Sequence, residues 1–300
     1  MRKQFYSYLS ELFKNDPRIS ILLGDIGVFS FRECFQYDSK RIYNMGILEQ
    51  AMVGVASGLS SLGLIPFIHS IAPFITERCY EQLKLNLGYE CKNAFVVSVG
   101  NSYDYASLGS THHCPNDLKI ISAIPNFTTF CPGNSFDVEE IIKENLDKQN
   151  PKYIRLSETE NNLRSIFPQY ADLHPIQVEK NGVCIVIGNS IKDFNKLLNY
   201  KLNCSILYSY KVSDFDVEKL DKFIIENSVN KNITLIEPCS DSGISYKIFT
   251  SIPNINRFNS ICFPKIFIDK YGTKDEIDDY LKLNDNSIMQ QLNTIYATQI

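Results

Sequence analysis

Arg41-Ile-Tyr-Asn-Met-Gly-Ile-Leu-Glu-Gln50, running straight into Ala51-Met-Val-Gly-Val-Ala-Ser-Gly-Leu59, is the stretch on which the reading of this chain turns. A short segment ends at Asn44-Met45-Gly46, and a helix then starts with Glu49 in its first turn and Gly54, Ala56, Ser57 and Gly58 along its length. Residues that small predict close packing of the helix against a neighbour. A carboxylate buried at such a place is costly unless something pairs with it.

Upstream of this stretch, Phe5, Leu9, Leu12 and Phe13 recur at helical spacing, and Ile19-Ser-Ile-Leu-Leu23 reads as a buried strand breaking into the loop Gly24-Asp25-Ile26-Gly27. Gly24-Asp25 resembles the start of a G-D-G…N clasp for magnesium diphosphate. Its third glycine is absent and Asn44 arrives too early, so that reading is rejected.

Downstream, Leu64-Ile-Pro-Phe-Ile68, Ala94-Phe-Val-Val-Ser-Val99, Asn126-Phe-Thr-Thr-Phe130 and Lys152-Tyr-Ile-Arg-Leu156 are strand-like. Helical stretches alternate with them, among them one capped by Ser135. That alternation predicts a parallel sheet with helices on both faces. The polar loop Gly100-Asn-Ser-Tyr-Asp-Tyr-Ala-Ser-Leu-Gly-Ser-Thr-His-His-Cys-Pro115 is long enough to predict a functional role.

Periodicity fails from Ser157 to Asn181, where Pro168 and Pro175 accumulate, and a second α/β set follows. Its strands are expected at 182–188, 204–208, 233–237 and 265–268, and its helices near 190–199, 215–227, 242–250 and 274–297. The expected fold class is therefore α/β with two doubly wound domains, at 1–160 and 181–300, joined by a linker at 161–180. A chain of 300 residues is comfortable for two self-sufficient cores.

With 30 Lys and Arg against 34 Asp and Glu and no long single-sign run, the chain offers no footprint for nucleic acid or an anionic membrane. No segment approaches the roughly 20 consecutive apolar residues that span a bilayer. Nine scattered cysteines without a C-x-x-C pair fit a reducing cytoplasm better than disulfides or a zinc site. Together these predict a cytoplasmic protein that meets small molecules or another protein.

Gly24-Asp-Ile-Gly27, Asn44-x-Gly-Ile-x-Glu-Gln50, Phe74-x-x-x-Arg-x-Tyr-Glu-Gln82, Leu108-Gly-x-Thr-His112 and Ile124-Pro-Asn126 stand in one order. Both the order and the spacing resemble the pyrimidine-binding domain of transketolases and deoxyxylulose-phosphate synthases. The second half resembles their C-terminal domain, with Glu237 in place of its strand-end Glu. No diphosphate-binding domain is present in the sequence. The resemblance therefore implies the C-terminal subunit of a split, thiamine diphosphate-dependent transketolase.

Its partner would be a separately encoded N-terminal subunit that ligates the Mg²⁺, in an α₂β₂ assembly, with no metal ligands in this chain. The implied reaction transfers a two-carbon ketol unit from a ketose-type donor to an aldehyde or modified-sugar acceptor. Two alternatives stay open: the β subunit of a 2-oxoacid dehydrogenase E1-type enzyme, and a catalytically inactive scaffolding or regulatory subunit.

The resemblance also implies roles for residues. The cofactor loses its thiazolium proton to its own imino group when a carboxylic acid hydrogen-bonds the pyrimidine, and Glu49, in an apolar pocket, would supply that bond. Phe74 would stack on the pyrimidine, with Ile71, Ile47, Ile26 and Asp25 around it. His112 would face the substrate carbonyl and donate to a developing oxyanion or shuttle a proton. A core histidine, a loop cap, or a metal site of His112, His113, Cys114 and Asp117 are its competing readings, the last being the weakest. Arg78 is either a substrate contact or a structural ion-pair partner.

Four of the family's sugar-recognition positions fall on residues unable to do that work. The phosphate-binding Arg falls at Glu158, with Arg155 three residues earlier; the hydroxyl-reading Asp falls at Leu108, a second His near Gly100 and a Ser near Phe29. A carboxylate repels phosphate. The pattern predicts a substrate other than an ordinary sugar phosphate, with His113, Asn101, Tyr103, Asp104 and Tyr105 as alternative polar contacts.

Overall fold

A computed structural model describes residues 1–297. Strand β1 (Ile19–Leu23) is buried along its whole length because it lies between two parallel neighbours, β2 (Ile42–Asn44) and β3 (Ile65–Ile71). With β4 (Ala94–Val99), β5 (Thr128–Phe130) and β6 (Pro151–Arg155) these make a six-stranded parallel sheet of order β2-β1-β3-β4-β6-β5. Apolar residues fill both faces of the central strands, as a sheet covered on two sides demands. The helix Arg2–Asn15 covers one face through Phe5, Tyr6, Leu9 and Phe13 and packs on the helix Ser135–Asn145.

A second sheet holds β7 (His174–Gln177), β8 (Val183–Ile187), β9 (Ser205–Ser209), β10 (Asn232–Ile236) and β11 (Arg257–Ile261) in the order β11-β10-β8-β9-β7, with β7 antiparallel to β9. The fold is thus two doubly wound α/β units.

Four local expectations differ from the structure. Residues 265–268 form no strand, and the edge position is taken by the more polar β11. Part of the stretch 161–180 is not linker but the edge strand β7, after a helical turn Leu163–Ile166. The last helix is two, Lys274–Leu281 and Asp285–Tyr296, parted where Lys282 turns left-handed at φ 57°. The cap of the helix at 135 is Asn134, whose side chain accepts from the amides of Phe136 and Asp137.

The two units share a packed boundary. Apolar side chains from both sheets merge into one layer on each side, so Phe130 and Ile154 belong with Val186 and Tyr208, and Val96 and Tyr153 with Ile185 and Leu207. Polar contacts complete the seam. Arg155, fully buried, donates to Asp117 at 2.8 and 3.1 Å, to Ser102 Oγ at 2.6 Å and to the carbonyl of Pro238 at 3.3 Å. The Tyr103 hydroxyl donates to Asp278 at 2.8 Å, and Lys274 lies 3.6 Å from Asp104.

Candidate functional site

The helix Glu49–Ser61 starts at the carboxyl end of the sheet, where open α/β folds gather their ligands. Glu49 is 2% exposed. The Ser70 hydroxyl, at the end of β3, donates to its Oε1 at 3.1 Å, and Arg78 Nη1 donates to its Oε2 at 2.8 Å. Space for this contact depends on Gly24, where a Cβ would stand 2.7 Å from Ser70 Oγ. The expectation of an apolar pocket around Glu49 is therefore replaced by a hydroxyl and a guanidinium.

Arg78 links the carboxylate to the aromatic residues. Its guanidinium carbon lies 4.3 Å from the centre of the Phe74 ring. Phe74 meets the His112 ring edge-on at 5.3 Å, and Tyr105 meets His112 at 6.3 Å. Glu49, Arg78, Phe74 and His112 thus form one contiguous cluster, with Thr111 Oγ1 3.0 Å from His112 Nδ1. Ile71 and Ile26 are half-buried nearby against the first apolar layer, whereas Ile47 is 68% exposed.

Asp25 is clipped to Asn44. Its amide donates to Asn44 Oδ1 at 3.1 Å and Asn44 Nδ2 returns a bond to Asp25 Oδ1 at 3.0 Å. Among the described residues no group of three or more His, Cys, Asp or Glu is placed to hold a metal ion.

The loop residues divide differently. Asn101 bonds Ser98 and the Leu156 carbonyl, Tyr103 bonds Asp278, and Asp104 accepts from Ser157 Oγ and the Glu158 amide, so all three are committed to the protein interior. Arg155 is committed to the seam, and Glu158 remains at the surface. His113 is buried, its pKa pushed down by burial, with Nε2 unpartnered. It lines a cavity of about 350 Å³ together with Glu77, Pro115, Phe263, Ile266 and Ile268, between the two units.

Sequence reasoning missed Arg2. Its Nε donates to the Tyr6 hydroxyl at 2.7 Å, and that hydroxyl lies 3.0 Å from Nε2 of His69. Burial pushes the His69 pKa down to about 3, so the ring is neutral. Its Nδ1 is 2.9 Å from the Val97 carbonyl, which fixes the proton there and leaves Nε2 to accept from Tyr6. This relay holds the Arg2 guanidinium against the Tyr6 ring, 5.6 Å from its centre. The only signal for it was the apolar periodicity that placed residues 2–15 on a helix.

Fold and site together define a two-unit α/β chain that offers a buried carboxylate and an aromatic face at the carboxyl end of its first sheet. The description "Transketolase, pyrimidine binding domain" matches residues 1–164, and the chain belongs to that family. It is 30% identical over 97% of its length to a Rhodococcoides fascians protein described as an uncharacterized 33.6 kDa protein in the fasciation locus, covering 93% of that protein. It is 32% identical to one subunit of the apulose-4-phosphate transketolase of Actinobacillus succinogenes, over 68% of this chain and 60% of that one. A solved split-gene transketolase, described as an inactive beta4 tetramer, superposes with a TM-score of 0.79 at 19% identity, covering 100% of this chain and 98% of its own. No helix among the described residues is long and apolar enough to cross a membrane.

Proposed function

We propose that this chain is the pyrimidine-binding subunit of a split transketolase, active with a separately encoded subunit that holds the diphosphate and Mg²⁺ of thiamine diphosphate. The observation that carries the reading is the buried Glu49 carboxylate, bridged to the ring of Phe74 by the Arg78 guanidinium. The residues present fit the pyrimidine: one carboxylate oxygen faces Arg78 and the ring of Phe74 lies beside it. When bound, thiamine diphosphate supplies the nucleophilic carbon that cleaves a ketose and carries two carbons to an aldehyde.

This chain's own part is narrower. Glu49 holds a proton at the pyrimidine nitrogen, Ser70 fixes the carboxylate's other oxygen, and Phe74 orients the ring. His112, braced edge-on by Phe74 and Tyr105, donates to oxygen on the reacting carbonyl. Arg155 is unavailable on the substrate side and Glu158 stands instead. That carboxylate supports a modified sugar rather than an ordinary sugar phosphate.

Co-expression with a neighbouring chain that carries G-D-G…N tests the reading. A complex that binds thiamine diphosphate and transfers a ketol unit is the expected result. Pyruvate-driven decarboxylation with a dye acceptor and no ketose cleavage would reject it.

A further inference from the structure

Arg78 makes both contacts expected of the cofactor ring: its planar fork donates to Glu49 Oε2 at 2.8 Å, and its guanidinium carbon lies 4.3 Å from the centre of Phe74. We propose that Arg78 is a built-in stand-in for the aminopyrimidine, occupying the ring's place in the chain by itself and withdrawing when the ring arrives. The proposal rests on the reading of Glu49 and Phe74 as the pyrimidine site.

Three features favour exchange over a permanent bond. The Glu49 side chain is 1% exposed whereas that of Arg78 is 41% exposed, so one partner is fixed in the interior and the other reaches in from solvent. The Arg78 backbone is pinned independently, its amide donating to the Pro73 carbonyl at 3.1 Å and its carbonyl accepting from Gln50 at 3.2 Å. The side chain can therefore swing without moving the helix start. Among the described residues, Ser70 is the only other hydrogen-bond partner of the Glu49 carboxylate, and it serves Oε1, so without Arg78 the buried group would face a heavy desolvation cost.

A guanidinium and an aminopyrimidine protonated on its ring nitrogen are both flat cations that present an N–H to a carboxylate oxygen and stack on an aromatic face. Replacing one by the other keeps the charge compensated throughout. The consequence is competition: the chain alone holds the pyrimidine weakly, because binding must first break the internal ion pair.

The full-length chain can be titrated with the aminopyrimidine half of thiamine, lacking thiazolium and diphosphate, by ligand-observed NMR. Arg78→Ala and Arg78→Gln should bind it about tenfold to a hundredfold more tightly than wild type. Arg78→Lys, which keeps the charge but not the flat fork and guards against unfolding, should fold normally and bind with an intermediate gain. Added guanidinium ion at non-denaturing concentration should displace the probe from Arg78→Ala. Equal or weaker binding by all three variants, including no measurable binding, would overturn the stand-in role and make Arg78 either a cofactor contact or a purely structural partner. Glu49→Gln in the Arg78→Ala background separates the two readings. If the gain survives it, the probe binds elsewhere and the cofactor-site assignment fails; if the gain never appears, the stand-in proposal alone falls.

Discussion

Arg155 and Glu49 are both buried polar side chains with a partner of opposite type, yet they answer different needs. Arg155 spends every contact inside the protein, on Asp117, Ser102 and the Pro238 carbonyl, and Asp117 also accepts from Tyr153 at 2.7 Å. Removing one member of such a pair strands a buried charge. Arg155→Met or Asp117→Leu alone should lower stability by about 3–5 kcal/mol, and the double variant by markedly less than the sum. Urea melts of the three chains check this, and additive losses would contradict it. Glu49 was legible from sequence because its motif surrounds it on every side. Its partner was not: from spacing alone Arg78 served a substrate contact or a structural pair equally well, and only the folded positions of Phe74 and Ser70 select the pair. Asn101, Tyr103 and Asp104 lie in a long polar loop, but polarity in sequence does not distinguish a contact with ligand from a contact with another domain.

The strand that ends at Ile236 delivers Glu237 into a buried turn, where the Ser242 amide and hydroxyl bond its Oε1. Burial, offset in part by Ser242, pushes its pKa up from 4.5 to about 7. A folded-state pKa above the unfolded one means that the native protein binds the proton more tightly between those two values. Stability is therefore lost as pH rises through that window and recovered as it falls. Glu237→Gln should be less sensitive to pH above 5 than wild type, measured as thermal midpoint against pH. Parallel curves would contradict the assignment. The difference between the two chains also separates Glu237 from His69, whose lowered pKa acts in the opposite direction. Elements with strong periodicity were the readable ones. The helix Arg2–Asn15 and strands β1, β4 and β8 follow from apolar spacing because they are packed into the two cores. Edge elements were not readable in that way. Among the described residues β11 pairs only with β10, and it reads Arg-Phe-Asn-Ser-Ile, half-exposed, while the apolar run at 265–268 stays irregular with Phe267 89% exposed. β7 carries Pro175, which an edge strand tolerates and a pattern search takes for a linker. The small residues of the helix Glu49–Ser61 make the same point. Gly58 has nothing within 4 Å of its Cβ position and Gly54 only Asn86 at 3.8 Å, so they face outward rather than into the chain.

At the scale of the whole molecule that outward face continues through exposed Ile47, Leu48, Val55 and Leu62, with Phe29 also exposed. Such a surface, beside the Glu49 cluster, is what a chain that docks on another protein presents. In isolation the chain should self-associate at micromolar concentration and stop doing so when the diphosphate-binding subunit is supplied, as followed by sedimentation velocity. A monodisperse monomer would contradict this. In the assembly, Glu49 should drive loss of the thiazolium proton. That role is tested most directly by the rate at which the thiazolium hydrogen of added thiamine diphosphate exchanges with deuterium in the reconstituted complex. Wild type should exchange fast, and Glu49→Gln should be slower by about 10²–10⁴-fold with the cofactor still bound. Equal rates in the two complexes would contradict the account.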